Sequence, residues 1–234
     1  NGGNFMAIAG TKWTRNENGD VILDKNGMPT YTTDLQQVGN RESFLTGGFN
    51  NTLTWKGLSF NMLWEFRLGG DVVNGTQYAM DGSGASKASG EWRSQPLTIK
   101  GVDVNGNPVS NTWNPNDVYE YNGKRMLGYN IIKSYYTSYY PYESANYITK
   151  VNLLRLRSIS LSYSLPKKWM DATGFIKGCT VSVAGNNLLL FSNYNGDPET
   201  AASGAGVGGS SSVGFEYCGV PSIAGMTFGI NLSF

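Results

Sequence analysis

The stretch that decides the fold is Met226-Thr227-Phe228-Gly229-Ile230-Asn231-Leu232-Ser233-Phe234. Five apolar side chains alternate in it with four small or polar ones, and none of the nine is charged. Because successive side chains of a strand point to opposite faces, one face is apolar and the other hydrophilic. Transmembrane β-barrels are built from such strands, with lipid on one side and water on the other. The stretch therefore predicts a barrel strand that ends on an aromatic residue.

The composition excludes several classes of function. The chain has no histidine, which rules out a Ser-His-Asp triad, a Cys-His pair and histidine metal sites within it. Its 18 basic and 17 acidic residues give a net charge of +1, and no basic run indicates a nucleic-acid surface. No apolar run approaches the ~20 residues that a membrane helix needs. We expect no catalytic, cofactor or metal site, and no enzyme activity.

Four further segments alternate in the same way. The predicted strands are 44–55, 58–68, 148–164, 177–190 and 225–234. In 148–164 the apolar phase changes between Leu156 and Ile159, which predicts a β-bulge near Arg157-Ser158.

The connections alternate between short and long. Lys56-Gly57 and 165–176 are short, whereas 69–147 and 191–224 are long. Outer-membrane barrels have this asymmetry, with short periplasmic turns and longer extracellular loops. The predicted fold is therefore all-β, an antiparallel transmembrane β-barrel with a periplasmic carboxy-terminus. Since the smallest such barrels have about eight strands, we expect these strands to be the carboxy-terminal part of a larger plugged barrel.

The segment 1–43 is predicted to be an extracellular hairpin and the lead-in to a barrel strand. Asn18-Gly19 and Asn26-Gly27 are strong signals for tight turns. Asn16, Asn18, Asp20 and Asp24 also have a faint calcium-loop spacing, but Gly27 stands where that loop requires glutamate. Turn chemistry is the preferred explanation.

Three segments together resemble the carboxy-terminal signatures of SusC/RagA-type TonB-dependent transporters. They are GGFNNTLTWKGLS (47–59), NLLRLRSISLSYSLP (152–166) and GNNLLLFSNYNGDPE (185–199). Their order and spacing fit that family, as does the aromatic terminus. The resemblance covers the chain from about residue 10 onward and is weakest in 76–140.

The resemblance implies an energy-coupled importer of glycans, peptides or other oligomeric nutrients in the cell outer membrane. A SusD-like surface lipoprotein would cover the barrel. The TonB complex would act through an amino-terminal part that this chain does not contain. Large plugged barrels of this kind have about 22 strands. Phe234 would serve as the signal for barrel assembly.

Candidate site residues follow from the alternation and from aromatic content. The polar positions predicted to face the lumen are Asn50, Thr52, Asn61, Glu65, Arg67 and Asn231. Aromatic faces stack on sugars and anchor protein interfaces. The candidates in the 69–147 connection for contact with substrate or partner are Trp92, Trp113, Tyr119, Tyr121, Tyr135 and Tyr139. The alternative is that these rings pack the connection on itself.

Two other classes of protein share some of these features. A soluble β-sandwich that binds carbohydrate also alternates apolar and polar residues, but its apolar faces must cover each other. An outer-membrane enzyme barrel would need carboxylates or Ser/Lys in place of histidine, and no paired-carboxylate pattern recurs on neighbouring strands. The two cysteines, Cys179 and Cys218, are expected at opposite ends of a barrel wall ~25 Å tall. That is too far apart for a disulfide.

Overall fold

The computed structural model describes residues 4–172, 174–200 and 214–234. The chain divides into two compact units. The sheet unit consists of Ser43–Gly70, Lys150–Thr200 and Val220–Phe234. The mixed unit consists of Asn1–Glu42, Asp71–Thr149 and Ala201–Gly219. The glycine- and serine-rich tract at 201–212 lies outside the described residues.

The described residues form strands, four α-helices and two short 3-10 helices. The strands are β1 (Ala7–Trp13), β2 (Tyr31–Asn40), β3 (Leu45–Trp55), β4 (Leu58–Asn74), β5 (Leu97–Val102), β6 (Pro108–Trp113), β7 (Val118–Tyr121), β8 (Lys124–Leu127), β9 (Ile148–Ser164), β10 (Gly178–Ser192), β11 (Phe215–Glu216) and β12 (Gly225–Ser233). The α-helices are α1 (Gly75–Ser83), α2 (Lys87–Trp92), α3 (Gly128–Ser138) and α4 (Lys167–Asp171), and the 3-10 helices are Tyr140–Tyr142 and Ser144–Tyr147. No helix among these is both long and apolar enough to cross a membrane.

The sheet unit is a meander in which spatial order follows chain order. Its strands lie in the order β3, β4, β9, β10, β12. The pairs β3–β4, β9–β10 and β10–β12 are antiparallel. The two-residue strand β11 pairs in parallel with Val73 and Asn74 at the end of β4. Within the described residues β3, β11 and β12 each pair with one strand only, so the sheet is open. The prediction of a predominantly antiparallel β fold is confirmed.

A two-residue turn joins β3 to β4. Lys56 and Gly57 both have positive φ, at 45° and 85°, as a hairpin turn that matches strand twist requires. A Cβ on Gly57 would lie 2.8 Å from the carbonyl oxygen of Ser164, so only glycine fits there. The turn sets Trp55 opposite Leu58 and thereby fixes the register of the whole hairpin.

The predicted bulge near Arg157-Ser158 of β9 is present in the β9–β10 pair, but the additional residue lies in β10, opposite Arg157. Asn186 pairs with Ser158, and Leu189 pairs with Leu156. Asn187 and Leu188 therefore lie opposite Arg157 alone, and the additional residue belongs to β10. Asn187 has a φ of 52°, a left-handed conformation that asparagine tolerates better than most residues.

In the mixed unit, β1 and β2 form an antiparallel hairpin whose tip is organised by asparagine and aspartate. Asn16 Oδ1 accepts hydrogen bonds from the backbone N–H groups of Asn18 and Asp20. Asp24 Oδ1 accepts in the same way from Asn26 and Met28. These side chains stabilise turns, in keeping with the preferred explanation of the spacing. Among the described residues, no group of three or more Asp, Glu, Cys or His is placed to hold a metal ion.

The 69–147 connection, expected to be a long loop, is folded. β4 continues to Asn74, and α1, α2, β5–β8 and α3 follow it. Ile131, Ile132 and Tyr135 of α3 pack into a core with buried apolar residues from several other segments: Leu23, Met28, Ile99, Trp113 and Tyr121. The connection therefore shares a hydrophobic core with Leu23 and Met28 of the segment between β1 and β2, which its irregular hydrophobic pattern did not reveal.

Candidate functional site

One face of the sheet unit is apolar and exposed. Directly paired residues share a face, and Phe49 lies opposite Trp64, Val183 opposite Phe228 and Val181 opposite Ile230. Phe228 and Ile230 are 77% and 70% exposed. Such a face needs an apolar environment, since burying one Phe or Ile side chain contributes about 1.5–3 kcal/mol.

The other face of the β3–β4 hairpin is polar. It carries the residues predicted to face a lumen: Asn50, Thr52, Asn61, Glu65 and Arg67. The Thr52 hydroxyl donates to Asn61 Oδ1 at 2.8 Å. Asn231 lies opposite Thr180 on β10, on the face of β12 away from Ile230. The hairpin therefore has one face suited to lipid and one suited to water.

Five charged residues of the sheet unit form a connected network, which we call the charge cluster: Glu65, Arg155, Arg157, Asp197 and Glu199. Arg155 is 2% exposed; it donates a hydrogen bond to Asp197, and its Nε lies 2.7 Å from Glu199 Oε2. Arg157 bonds both Glu65 and Glu199. Strand β9 is thus joined to β4 and to the segment after β10.

Asp197 is the most enclosed acid of the charge cluster. Burial raises the pKa of its carboxyl, but hydrogen bonds from Ser222, Glu199 and Arg155 outweigh burial and hold that pKa below its usual range. Asp197 Oδ2 accepts from the backbone N–H of Ser222 at 3.0 Å. The aspartate is therefore charged at neutral pH and ties together two segments that are 25 residues apart.

Sequence reasoning treated Glu65 and Arg67 as separate lumen-facing positions and missed the charge cluster. In the structure Arg157 is the partner of Glu65, and Arg67 Nε donates to the carbonyl of Gly69. The sequence carried only part of this information: Arg155 and Arg157 are two residues apart on a strand and so share a face, but Asp197 and Glu199 lie outside the strands, where spacing does not predict direction.

Most of the aromatic residues proposed to contact a ligand belong to the core of the mixed unit. Trp113, Tyr121 and Tyr135 are buried, which corrects their predicted role because enclosed rings are not available to a ligand. Tyr119 and Tyr139 pack against the same core, and Tyr139 accepts a hydrogen bond from Trp13 through its carbonyl. The side chain of Trp92 lies outside the described residues.

Among the described residues of the mixed unit, three neighbouring cavities have lining residues in common. The first, of about 150 Å³, is lined by charged and aromatic residues that include Asp81, Arg93, Tyr129, Lys133 and Tyr136. The second, of about 360 Å³, is polar and shares Thr137 with the first. The third, of about 250 Å³, is mostly apolar and shares Tyr78 and Pro141 with the second.

The first cavity holds charges of both signs. Asp81 is buried and accepts a hydrogen bond from Gln77 Nε2 at 2.6 Å. Arg93 Nη2 donates to the carbonyl of Gly84 at 2.7 Å, at the carboxyl end of α1. Burial, helped by the charges of Tyr140 and Asp81, raises the pKa of Tyr136 to about 12. That phenol is therefore neutral at physiological pH.

The second cavity is walled by paired tyrosines. The rings of Tyr31 and Tyr142 stack with centroids 3.7 Å apart and planes 8° from parallel. Thr11, Thr137 and Ser138 contribute hydroxyl groups to the same cavity. None of these residues was among the candidates drawn from the sequence. Thr11 and Tyr31 lie on the β1–β2 hairpin, far along the chain from Thr137, Ser138 and Tyr142.

Known proteins with curated descriptions resemble this chain over its whole length. It is 26% identical over 238 residues to TonB-dependent receptor P3 of Formosa agariphila, covering 100% of this chain and 21% of that protein. It is 25% identical over 222 residues to TonB-dependent receptor P39 of the same organism, covering 94% of this chain and 18% of that protein. The chain thus spans about a fifth of the length of these relatives. No family model matches it.

Solved structures share the fold. A structure of the RagAB peptide importer in the open-open state matches 97% of this chain and 22% of its own, with a TM-score of 0.57 and 16% identity. A structure of the RagAB peptide transporter matches 97% of this chain, which corresponds to 23% of the transporter chain, with a TM-score of 0.53 and 18% identity. The resemblance to SusC/RagA-type TonB-dependent transporters inferred from three motifs is confirmed.

Proposed function

We propose that this chain, which is similar in sequence to TonB-dependent receptors and has the fold of the RagAB structures, supplies barrel wall and extracellular structure to an outer-membrane importer of oligomeric nutrients. The nutrient is a glycan or a peptide. The partners are a SusD-like surface lipoprotein and the TonB complex, the latter reached through parts outside this chain. The carboxy-terminus lies on the periplasmic side.

The observation that carries this proposal is the sequential meander with an exposed apolar face. Phe228, Ile230 and Leu232 project from one side of β12 and lie opposite Val183, Val181 and Cys179 of β10. No charged residue interrupts this side of either strand. Lipid hydrocarbon accommodates such a surface, and the open edges of the sheet would be closed by the other strands of a larger barrel.

The polar face is then the wall of a water-filled lumen. Asn50, Thr52 and Asn61 present hydrogen-bonding groups there without a fixed charge, which suits passage of a polar oligomer. Glu65 is engaged by Arg157, so its charge is partly neutralised. Tyr119 and Tyr139 remain proposed contact residues of the mixed unit.

The competing assignment is a soluble carbohydrate-binding sandwich. In a sandwich the apolar side chains of a sheet are covered by a second sheet. In the sheet unit, as far as the structure describes it, Leu53, Phe228 and Ile230 are all exposed. This observation favours the barrel wall.

Spin labels at adjacent positions of β12 test the proposal in the full-length transporter. Cys179 and Cys218 are first replaced by serine, and a nitroxide is attached at Ile230→Cys or, as the matched control, at Asn231→Cys. In bilayers the label at 230 should collide mainly with oxygen, which dissolves in lipid, and the label at 231 mainly with a water-soluble nickel chelate. The reverse pattern, or water access at both positions, would overturn the proposal.

A further inference from the structure

We propose that the end of the sheet unit that carries its two short connections binds the headgroups of anionic phospholipids such as phosphatidylglycerol. The assignment rests on the proposed function, which puts this end at the periplasmic surface of the membrane. Four exposed lysines lie in these connections, and we call them the basic rim: Lys56, Lys167, Lys168 and Lys177.

Backbone hydrogen bonds bring the two connections to the same edge of the sheet. The N–H of Ser164, at the end of β9, donates to the carbonyl of Gly57 at 2.8 Å. At the far end of the second connection, the N–H of Lys177 donates to the carbonyl of Ser233 at 2.7 Å. Neighbouring strands are about 4.8 Å apart. The basic rim therefore follows the ends of β4, β9, β10 and β12 across a few strand spacings.

Two lysines of the basic rim belong to the apolar face of the sheet. Lys56 Nζ lies 5.1 Å from the ring centroid of Trp55, which is paired with Leu58 on that face. Lys177 precedes β10 in phase with Cys179, whose partner is Leu232. A lysine at the end of a lipid-facing surface can lay its methylene groups on hydrocarbon while its ammonium group reaches the headgroups.

The backbone of Lys56 adds a second observation. Its φ is 45°, in a turn whose first position is usually asparagine, aspartate or glycine. A left-handed conformation costs a lysine more than it costs those residues. Such a conformation at an exposed turn indicates a role for the side chain, and here it sets the ammonium group over Trp55.

Aromatic rings at the same edge select a lipid over a soluble anion. Trp55, Trp169, Phe175 and Phe234 are each more than half exposed. Phe175 and Phe234 stack with planes 5° from parallel. Tryptophan is enriched where a membrane meets water, and lysines that accompany exposed rings attract anionic lipids. A soluble phosphate would satisfy the ammonium groups but leave the rings in water, whereas a phospholipid covers both.

The charge balance selects an anionic headgroup over a zwitterionic one. Asp171 is the one acidic residue in 165–177. None of the four lysines is in a salt bridge within the described part of the chain. Each lysine close to an anionic lipid surface raises affinity about fivefold. A zwitterionic headgroup also offers a phosphate, but its own ammonium group is repelled by neighbouring lysines.

Lipid competition followed by native mass spectrometry tests the assignment. The full-length transporter in detergent is mixed with equal amounts of phosphatidylglycerol and phosphatidylethanolamine that have the same acyl chains. We expect about fivefold more bound phosphatidylglycerol at low salt, and a smaller excess at high salt because exposed charges are screened. Inorganic phosphate should displace no more lipid than sodium chloride of the same ionic strength.

Variants assign this preference to the basic rim. Replacing its four lysines with glutamine should bring the ratio of bound lipids close to one, whereas replacing them with arginine should preserve the preference. The matched control replaces four exposed lysines of the mixed unit with glutamine, and it should keep the preference: Lys25, Lys100, Lys124 and Lys133. If the fourfold glutamine variant does not assemble, Lys56→Gln and Lys177→Gln singly should each lower the ratio.

Four outcomes would overturn the assignment. They are a ratio near one in the unaltered transporter, a ratio that the glutamine variants do not lower, an equal loss in the control, and displacement of the lipid by inorganic phosphate beyond the effect of salt. The spin-label comparison at Ile230 and Asn231 reports on hydrocarbon and water, not on headgroups. A failure of this assignment is therefore distinguishable from a failure of the proposed function.

Discussion

Replacing Arg155 by methionine tests how the charge cluster holds the segment that follows β10. Arg155 is 2% exposed, and the Asp197 side chain that it contacts is 6% exposed. The substitution leaves that carboxylate buried without its cation, whereas Glu199 keeps Arg157 as a partner. Breaking a buried ion pair from one side costs about 3–5 kcal/mol. We expect the free energy of local opening of this segment to fall by about that amount.

Hydrogen exchange of the full-length transporter, followed by mass spectrometry, measures this opening. The reporting amides are those of Glu199 and Ser222, which donate to Asp197 at 3.1 and 3.0 Å. Since 1.36 kcal/mol corresponds to a factor of ten, their exchange should quicken by roughly 100-fold or more. Exchange in the β10–β12 ladder should stay unchanged, because none of its backbone hydrogen bonds involves the charge cluster.

A variant of the more exposed ion pair in the charge cluster tests whether burial, rather than loss of any ion pair, sets the cost. Glu65 and Arg157 are 44% and 29% exposed, so Glu65→Gln should cost about 0–1 kcal/mol and change exchange little. Adding Asp197→Asn to the Arg155→Met variant removes the stranded charge and should restore part of the lost protection. Unchanged exchange in Arg155→Met, or an equal effect of Glu65→Gln, would refute the reasoning.

Three shorter predictions concern other features. Because the folded pKa of Asp197 lies below its ordinary value, the stability it provides is complete above about pH 4 and is lost as pH falls through the folded pKa. After correction for the intrinsic pH dependence of exchange, the amides of Glu199 and Ser222 should exchange faster as the pH falls below about 4. Asp197→Asn should abolish this increase. Cys218 is exposed and Cys179 partly buried, both as free thiols, so iodoacetamide should modify Cys218 first; equal rates by mass spectrometry would contradict this. Phe234 stacks on Phe175 with centroids 6.1 Å apart, and deleting Phe234 should lower the amount of transporter in the outer-membrane fraction; unchanged abundance would count against its role in assembly.

The strands of the sheet unit follow from local sequence because their pattern has a period of two. Alternation predicted segments at 58–68 and 148–164, and the structure has β4 and β9 there. The phase change in 148–164 also indicated an irregularity. The alternation within a single strand does not show which of two paired strands carries the additional residue. The structure places it in β10, at Asn187.

The charge cluster was beyond sequence reasoning for a different reason. Arg157 bonds Glu65, 92 residues before it, and Glu199, 42 residues after it. Such pairs depend on strand register and on the path of the segment after β10. Neither is encoded in the spacing of the residues themselves.

The sequence by itself determined the fold class, the apolar and polar faces of the strands, and the family resemblance, because these depend on residues close together in the chain. Only the tertiary structure decided which aromatic residues of the 69–147 connection form a core and which line the cavities. Tyr135 and Tyr136 are neighbours in α3, yet Tyr135 is buried within the core, whereas Tyr136 packs against the edge of that core and also lines the first cavity. Successive residues of a helix point about 100° apart, and which of those directions meets the core depends on how distant segments pack against the helix.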